Sequence, residues 1–259
     1  MKNQLTCLII LGILAIFISS CSVSTTRIGA LDPGYFNNRG EGNVSGKVFV
    51  DNFGSGFGGH FNYAMSDNIF IGCGVDYFNP ETDYNDLGAG DVGIKGFNGR
   101  FTMGGFKSFG EKRTGYFESS LTITQGWQNF IYQSTSGLNN IAYSPSALSG
   151  SFGWGINKKN ISFLGGLNLI FTISDFKKPS DMKTYILDDE YVSDDGSLNF
   201  NVFFGSQFGR GPIKFSILWS LGTNPIADLY SDTADTPRVN FSLGVHYNFG
   251  RTDISIIKM

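Results

Sequence analysis

The chain has 259 residues, 41% of them hydrophobic and only 16% charged, with Gly 35, Phe 25 and Pro 7. Soluble enzymes carry roughly a quarter charged residues, so this balance of glycine, phenylalanine and few charges points away from them. A net charge of −3 leaves no basic stripe to neutralise phosphates, which argues against a nucleic-acid partner.

The N-terminus carries Lys2 and then an apolar run from Leu8 to Ile18. A helix needs about 20 apolar residues to span a bilayer, so the run has the dimensions of a secretory signal instead. It ends in Ile18-Ser19-Ser20-Cys21, an aliphatic residue, two small ones and a cysteine. This resembles the bacterial lipobox. The resemblance implies that residues 1–20 are a lipoprotein signal peptide, cleaved before Cys21. It also implies that Cys21 carries diacylglycerol on its thiol and an acyl chain such as palmitate on its new amino terminus. The competing reading is an ordinary signal peptide that ends beside an incidental cysteine. Two or three chains, at about 0.8 kcal/mol per buried methylene, anchor a protein firmly. Cys7 would leave with the signal, so Cys73 stands alone and no disulfide framework is expected. Ser22 replaces the Asp that retains enteric lipoproteins in the inner membrane, and "SVSTTRIG" lacks an acidic surface-export cluster. Both features place the expected anchor in the periplasmic leaflet.

Residues 21–43 are polar, Gly-rich and without period, and read as a lipidated flexible tether. From Val44 a period of two sets in. It gives ten expected strands near 44–52, 57–66, 69–78, 93–108, 115–127, 147–157, 161–174, 198–208, 213–222 and 238–249. In the ninth, Ile213, Phe215, Ile217, Trp219 and Leu221 oppose Lys214, Ser216, Leu218 and Ser220. The segments 66–68, 110–114, 157–160 and 209–212 read as tight turns, and those near 79–92, 128–146, 175–197 and 223–237 as long loops. Such alternation predicts a transmembrane up-and-down antiparallel β-barrel over 44–250, its short turns periplasmic and its long loops outside. An even strand number puts both ends in the periplasm, where residues 251–259 form a tail.

One row of each strand is rich in Phe, Tyr and Trp, and the other in Gly, Ser, Asn and Thr. A soluble barrel would carry Lys, Glu and Asp outside, so the aromatic row is expected to face lipid. The last strand, "FSLGVHYNFG", resembles the assembly signal read by the outer-membrane barrel insertase. Ser242, Gly244, Tyr247 and Phe249 fit it, although such families usually stop at the last aromatic. The pattern of 44–249 resembles the OmpA/OmpW-like small barrels, with ten strands where they have eight.

The expected inward row holds Lys47, Asp51, Asp76, Arg100, Glu118 and Lys214 with two histidines, His60 and His246. Paired charges across a filled lumen are one reading of this polar network, and a polar pore lining is the other. His60 is expected nearer the outer end and His246 nearer the periplasmic end. Ser242 lies about 13 Å along the strand from His246, too far for a nucleophile–base pair. The acidic segment 175–197 offers clustered carboxylates for calcium, but without EF-hand spacing. No other metal or cofactor set is legible, and none is expected. Three functions follow, in order of preference. The first is a structural or accessory subunit of an outer-membrane complex, not an enzyme, with a protein partner there; its motive is the double attachment by barrel and lipid. The second is a narrow channel for small solutes, and the third a lipid-modifying barrel enzyme.

Overall fold

The computed structural model describes residues 32–51, 54–80, 92–110, 114–134, 137–158, 160–173, 197–222 and 238–250. Among them lie the strands β1 (Gly42–Asp51), β2 (Gly54–Ala64), β3 (Ile69–Pro80), β4 (Val92–Phe109), β5 (Gly115–Ser134), β6 (Gly137–Tyr143), β7 (Ser146–Asn157), β8 (Ile161–Ile173), β9 (Ser197–Phe208), β10 (Ile213–Gly222) and β11 (Arg238–Phe249). β6 and β7 both pair with β5 and are separated by Ser144 and Pro145 alone, so they form one stave of the wall. Proline has no N–H for a ladder, which accounts for the break. Its carbonyl still accepts from the N–H of Gly126 at 2.7 Å.

Every stave pairs antiparallel with its neighbours in sequence, and the wall closes where β1 meets β11, from Gly42↔Phe249 to Asp51↔Asn240. The result is an all-β, closed antiparallel barrel of ten staves, as the alternation predicts. Closure is what permits such a sheet to sit in hydrocarbon, since an open edge would leave backbone N–H and C=O groups unpaired there. The outward row is apolar: Val48, Val75, Ile123 and Trp154 are each more than half exposed. The inward row buries Ser45, Lys47, Asn62, Asp76 and Asn168. Polar groups inside and an apolar belt outside make the solvent around the wall lipid, and the barrel is of the outer-membrane type.

Two expectations are corrected. The loop expected over 128–146 is mostly strand: β5 runs on to Ser134, which pairs with Gly137 across 135–136. A transmembrane strand needs only about 9–11 residues, so this 20-residue strand is long enough to continue beyond the apolar band. The tether expected over 21–43 does not hold as far as 43, because β1 already begins at Gly42 and residues 33–36 are buried inside the wall. Signal, lipobox cysteine, residues 251–259 and the acidic segment 175–196 lie outside the described residues.

Leu243 lies near the middle of β11, paired with Val48 and Ile217 and 45% exposed on the lipid side. Leu243→Arg should lower folding stability in lipid vesicles by about 2–4 kcal/mol, read by urea titration. An unchanged midpoint would mean that this row does not meet hydrocarbon.

Candidate functional site

The most elaborate chemistry lies inside the half of the barrel at which β1 begins, its lower half, where the chain entering β1 is held by the wall. Gly40 and Glu41 still exchange backbone bonds with Ala64 of β2, but residues 32–38 make no ladder with the sheet and their polar groups are taken up one by one. The Glu118 carboxylate on β5 accepts the N–H of Gly34 at 3.0 Å and, more loosely, that of Tyr35 at 3.4 Å. It also accepts the hydroxyl of Tyr116, which itself takes the N–H of Phe36 at 3.1 Å. Asn43 donates to the carbonyl of Gly34, and Asn157 to that of Tyr35 at 2.7 Å. Backbone groups buried without water must find such partners, and here side chains supply them.

Tyr35 has a positive φ of 52°, a conformation that costs a non-glycine residue of order 1–3 kcal/mol unless its surroundings impose it. The bonds on both its N–H and its carbonyl do so. The kink turns the Tyr35 ring against Tyr116, with centroids 6.2 Å apart. Phe36 packs against Phe70 and Phe106, each at 5.5 Å. These rings join Phe49, Phe78, Leu164, Phe203 and Leu218 in the apolar core of the lumen.

Asp32 marks the deep end of the segment. Its carboxylate pairs with Lys47 and accepts from Ser45 at 3.0 Å and Asn62 at 2.8 Å. His60 links this group to the wall: its Nδ1 lies 3.4 Å from Asp32 and its Nε2 2.9 Å from Asp76. Arg100 contacts both His60 and Asp76, with 3.0 Å to the carboxylate. Two glycines make room. A Cβ on Gly74 would stand 2.3 Å from the His60 ring, and one on Gly244 would meet Ser216 at 2.6 Å and Lys47 at 3.0 Å.

Lys47, His60, Asp76 and Arg100 are therefore brought together, whereas Glu118 serves the entering segment and Lys214 donates to the Gly209 carbonyl near the rim. The side chain of Asp51 lies outside the described residues. The two histidines are not at opposite ends as expected: His60 and His246 flank Ser45 on β2 and β11, at one level. The displacement arises because β2 starts at Gly54, so His60 falls in its lower half. Within the assembly-signal strand, Ser242 and Gly244 face the lumen, and Tyr247 faces lipid at 54% exposure, with Phe249 half-buried. Cys73 is exposed on the outer face.

Sequence reasoning missed Asp32, Tyr35, Tyr116 and Ser216. "PGYF" at 33–36, an apolar patch in a polar stretch, was the available signal for Tyr35. Ser216, one strand away, lies 2.7 Å from His246 Nε2, although Ser242 on the same strand is out of reach. The ring's other nitrogen, Nδ1, is buried with no hydrogen-bond partner among the described residues, so nothing orients this pair as a third group orients a catalytic dyad.

No family model and no curated relative matches the chain. Among solved structures it is similar to the N-terminal β-barrel domain of Pseudomonas aeruginosa OprF, at 10% identity over 82% of this chain and 99% of that one, TM-score 0.36. The outer membrane protein Ail of Yersinia pestis is 14% identical over 82% and 100%, TM-score 0.36. The translocator domain of the autotransporter NalP from Neisseria meningitidis is 10% identical over 82% and 89%, TM-score 0.46. The barrel assignment itself rests on the strand pairings above.

Glu118→Ala removes the acceptor of two backbone N–H groups and one hydroxyl. It should cost about 1–3 kcal/mol, the penalty for stranding buried donors. Urea unfolding checks this, and an unperturbed midpoint would show that Glu118 does not hold the segment.

Proposed function

We propose that the chain is a lipid-anchored barrel of the bacterial outer membrane that serves there as a structural or accessory subunit of a larger complex, and not as an enzyme. The observation that carries this reading is the filled lumen. Tyr35, Phe36 and the Asp32–Lys47 pair occupy the interior with their polar groups satisfied from the wall. A barrel packed in this way is suited to being a stable wall. His60 and His246 both face inward and are buried, away from the surrounding lipid. The lipobox resemblance of Ile18 to Cys21 adds a second attachment, which a barrel does not need for anchoring and which suits positioning against a partner.

Native purification from outer membranes in mild detergent, followed by mass spectrometry, tests the partner. A co-migrating protein in near-stoichiometric amount is expected, and a lone heat-modifiable barrel would overturn the reading. The anchor is tested separately. Metabolic labelling with a palmitate analogue should mark the wild-type chain and leave Cys21→Ser unlabelled; equal labelling of the two would remove Cys21 as the lipid site.

A further inference from the structure

The barrel closes without its N-terminal segment. The ladder between β1 and β11 is complete from Gly42, and the described residues before it, 32–41, form no strand of the wall. Residues 32–38 are held in the lumen by side-chain contacts. Asn43 and Asn157 bind the Gly34 and Tyr35 carbonyls, Ser108 donates to Asn37, and the Phe36 ring packs on Phe70 and Phe106. Charged groups grip at two further points. Glu118 and Tyr116 grip the backbone of residues 34–36. At the deep end, Lys47, Ser45 and Asn62 grip the Asp32 carboxylate. The segment runs into the wall through a turn in which Gly40 has φ 81° and donates to the Ala64 carbonyl at 2.9 Å, while the Ala64 N–H donates to the Glu41 carbonyl at 2.8 Å.

Beside it lies a cavity with a hydroxyl-rich side and an apolar side formed by Phe70, Leu164 and Phe203. Thr102 and Thr122 share a hydrogen bond at 2.8 Å, Ser120 and Ser151 another at 2.6 Å, and these hydroxyls line the cavity with Arg100 and Glu118. Thr102, Ser120 and Ser151 keep partial exposure inside the barrel. Residues 32–38, lodged in the lumen by side-chain contacts and outside the hydrogen-bonded sheet, have the construction of a stopper.

We infer that residues 32–38 are a releasable plug in cis, and that its withdrawal from the lower lumen converts the barrel into a conduit for small hydrophilic solutes and ions. Glu118 and the Asp32–Lys47 pair are its charged latches. The inference is independent of the accessory-subunit reading, because conductance and co-purification are measured on separate preparations and either can fail alone.

The test is planar-bilayer conductance of the full chain purified from outer membranes. Three proteins are compared: wild type, the double variant Glu118→Ala with Asp32→Ala, and a deletion of 33–38. Heat-modifiable migration reports which of them are folded. Wild type should conduct little above an empty bilayer, and each folded variant at least tenfold more. Wild type is also measured in urea below the midpoint of barrel unfolding, where reversible opening steps are expected; this arm needs no variant to fold. Folded variants that conduct no more than wild type, or wild type with no openings in urea, would overturn the plug. A wild type that already conducts as much as the variants would overturn it equally.

Discussion

Hydrocarbon offers no hydrogen bonds, and nearly everything in this molecule follows from that. Each backbone N–H and C=O at membrane depth must be paired within the protein, so the sheet must close, and here it does so at the seam of β1 and β11. Closure in turn divides every strand into two rows with opposite surroundings. Val48 and Leu243 are paired across the seam on the lipid side, while Lys47 and Ser242, each one residue along, are buried inside. A one-residue slip of register would put Lys47 into lipid, which makes the seam self-specifying.

The same division sets the problem of the interior. A barrel's diameter grows with its strand number, so ten staves enclose more space than eight, and short inward side chains leave part of it empty. Two solutions coexist here. Toward β7–β10, Leu164, Phe203 and Leu218 reach inward and fill the space themselves. Toward β1–β5, Gly58, Gly72, Gly74 and Gly104 take little room, and larger neighbours such as Asp76, Asn62, His60 and Phe70 lean over them. The entering chain adds Tyr35, Phe36 and Asp32 beside this group. The inward glycines, which invite the reading of an open pore, instead give space to their neighbours' side chains.

How much of this was legible in the sequence depends on the range of the interaction. The staves were legible because alternation is local: "IKFSILWSL" declares its two faces within nine residues. The tip of the β5–β6 hairpin was not, because the apolar and polar rows lose their contrast in "YQSTSGLNN" and Pro145 then interrupts the pattern. The inward positions of Lys47, His60, Asp76 and Arg100 followed from parity alone. Their partners did not. Asp32 binds a lysine 15 positions away, and Gly34 a carboxylate 84 positions away, and no periodicity links such pairs.

Residues 32–36 also show why a polar, aperiodic stretch is easily taken for a tether. An unstructured linker and a segment docked against side chains look alike in sequence, because both lack the period that a ladder or a helix imposes. What separates them is whether the backbone groups have partners. Between Gly34 and Phe36 three N–H groups and two carbonyls are taken up by Glu118, Tyr116, Asn43 and Asn157. Those four side chains come from β1, β5 and β7, so the docking site exists only once the barrel has closed. The segment is thus ordered by the wall and adds nothing to the wall's own ladder. Such an element can be displaced without opening the sheet, and that property distinguishes it from every stave around it.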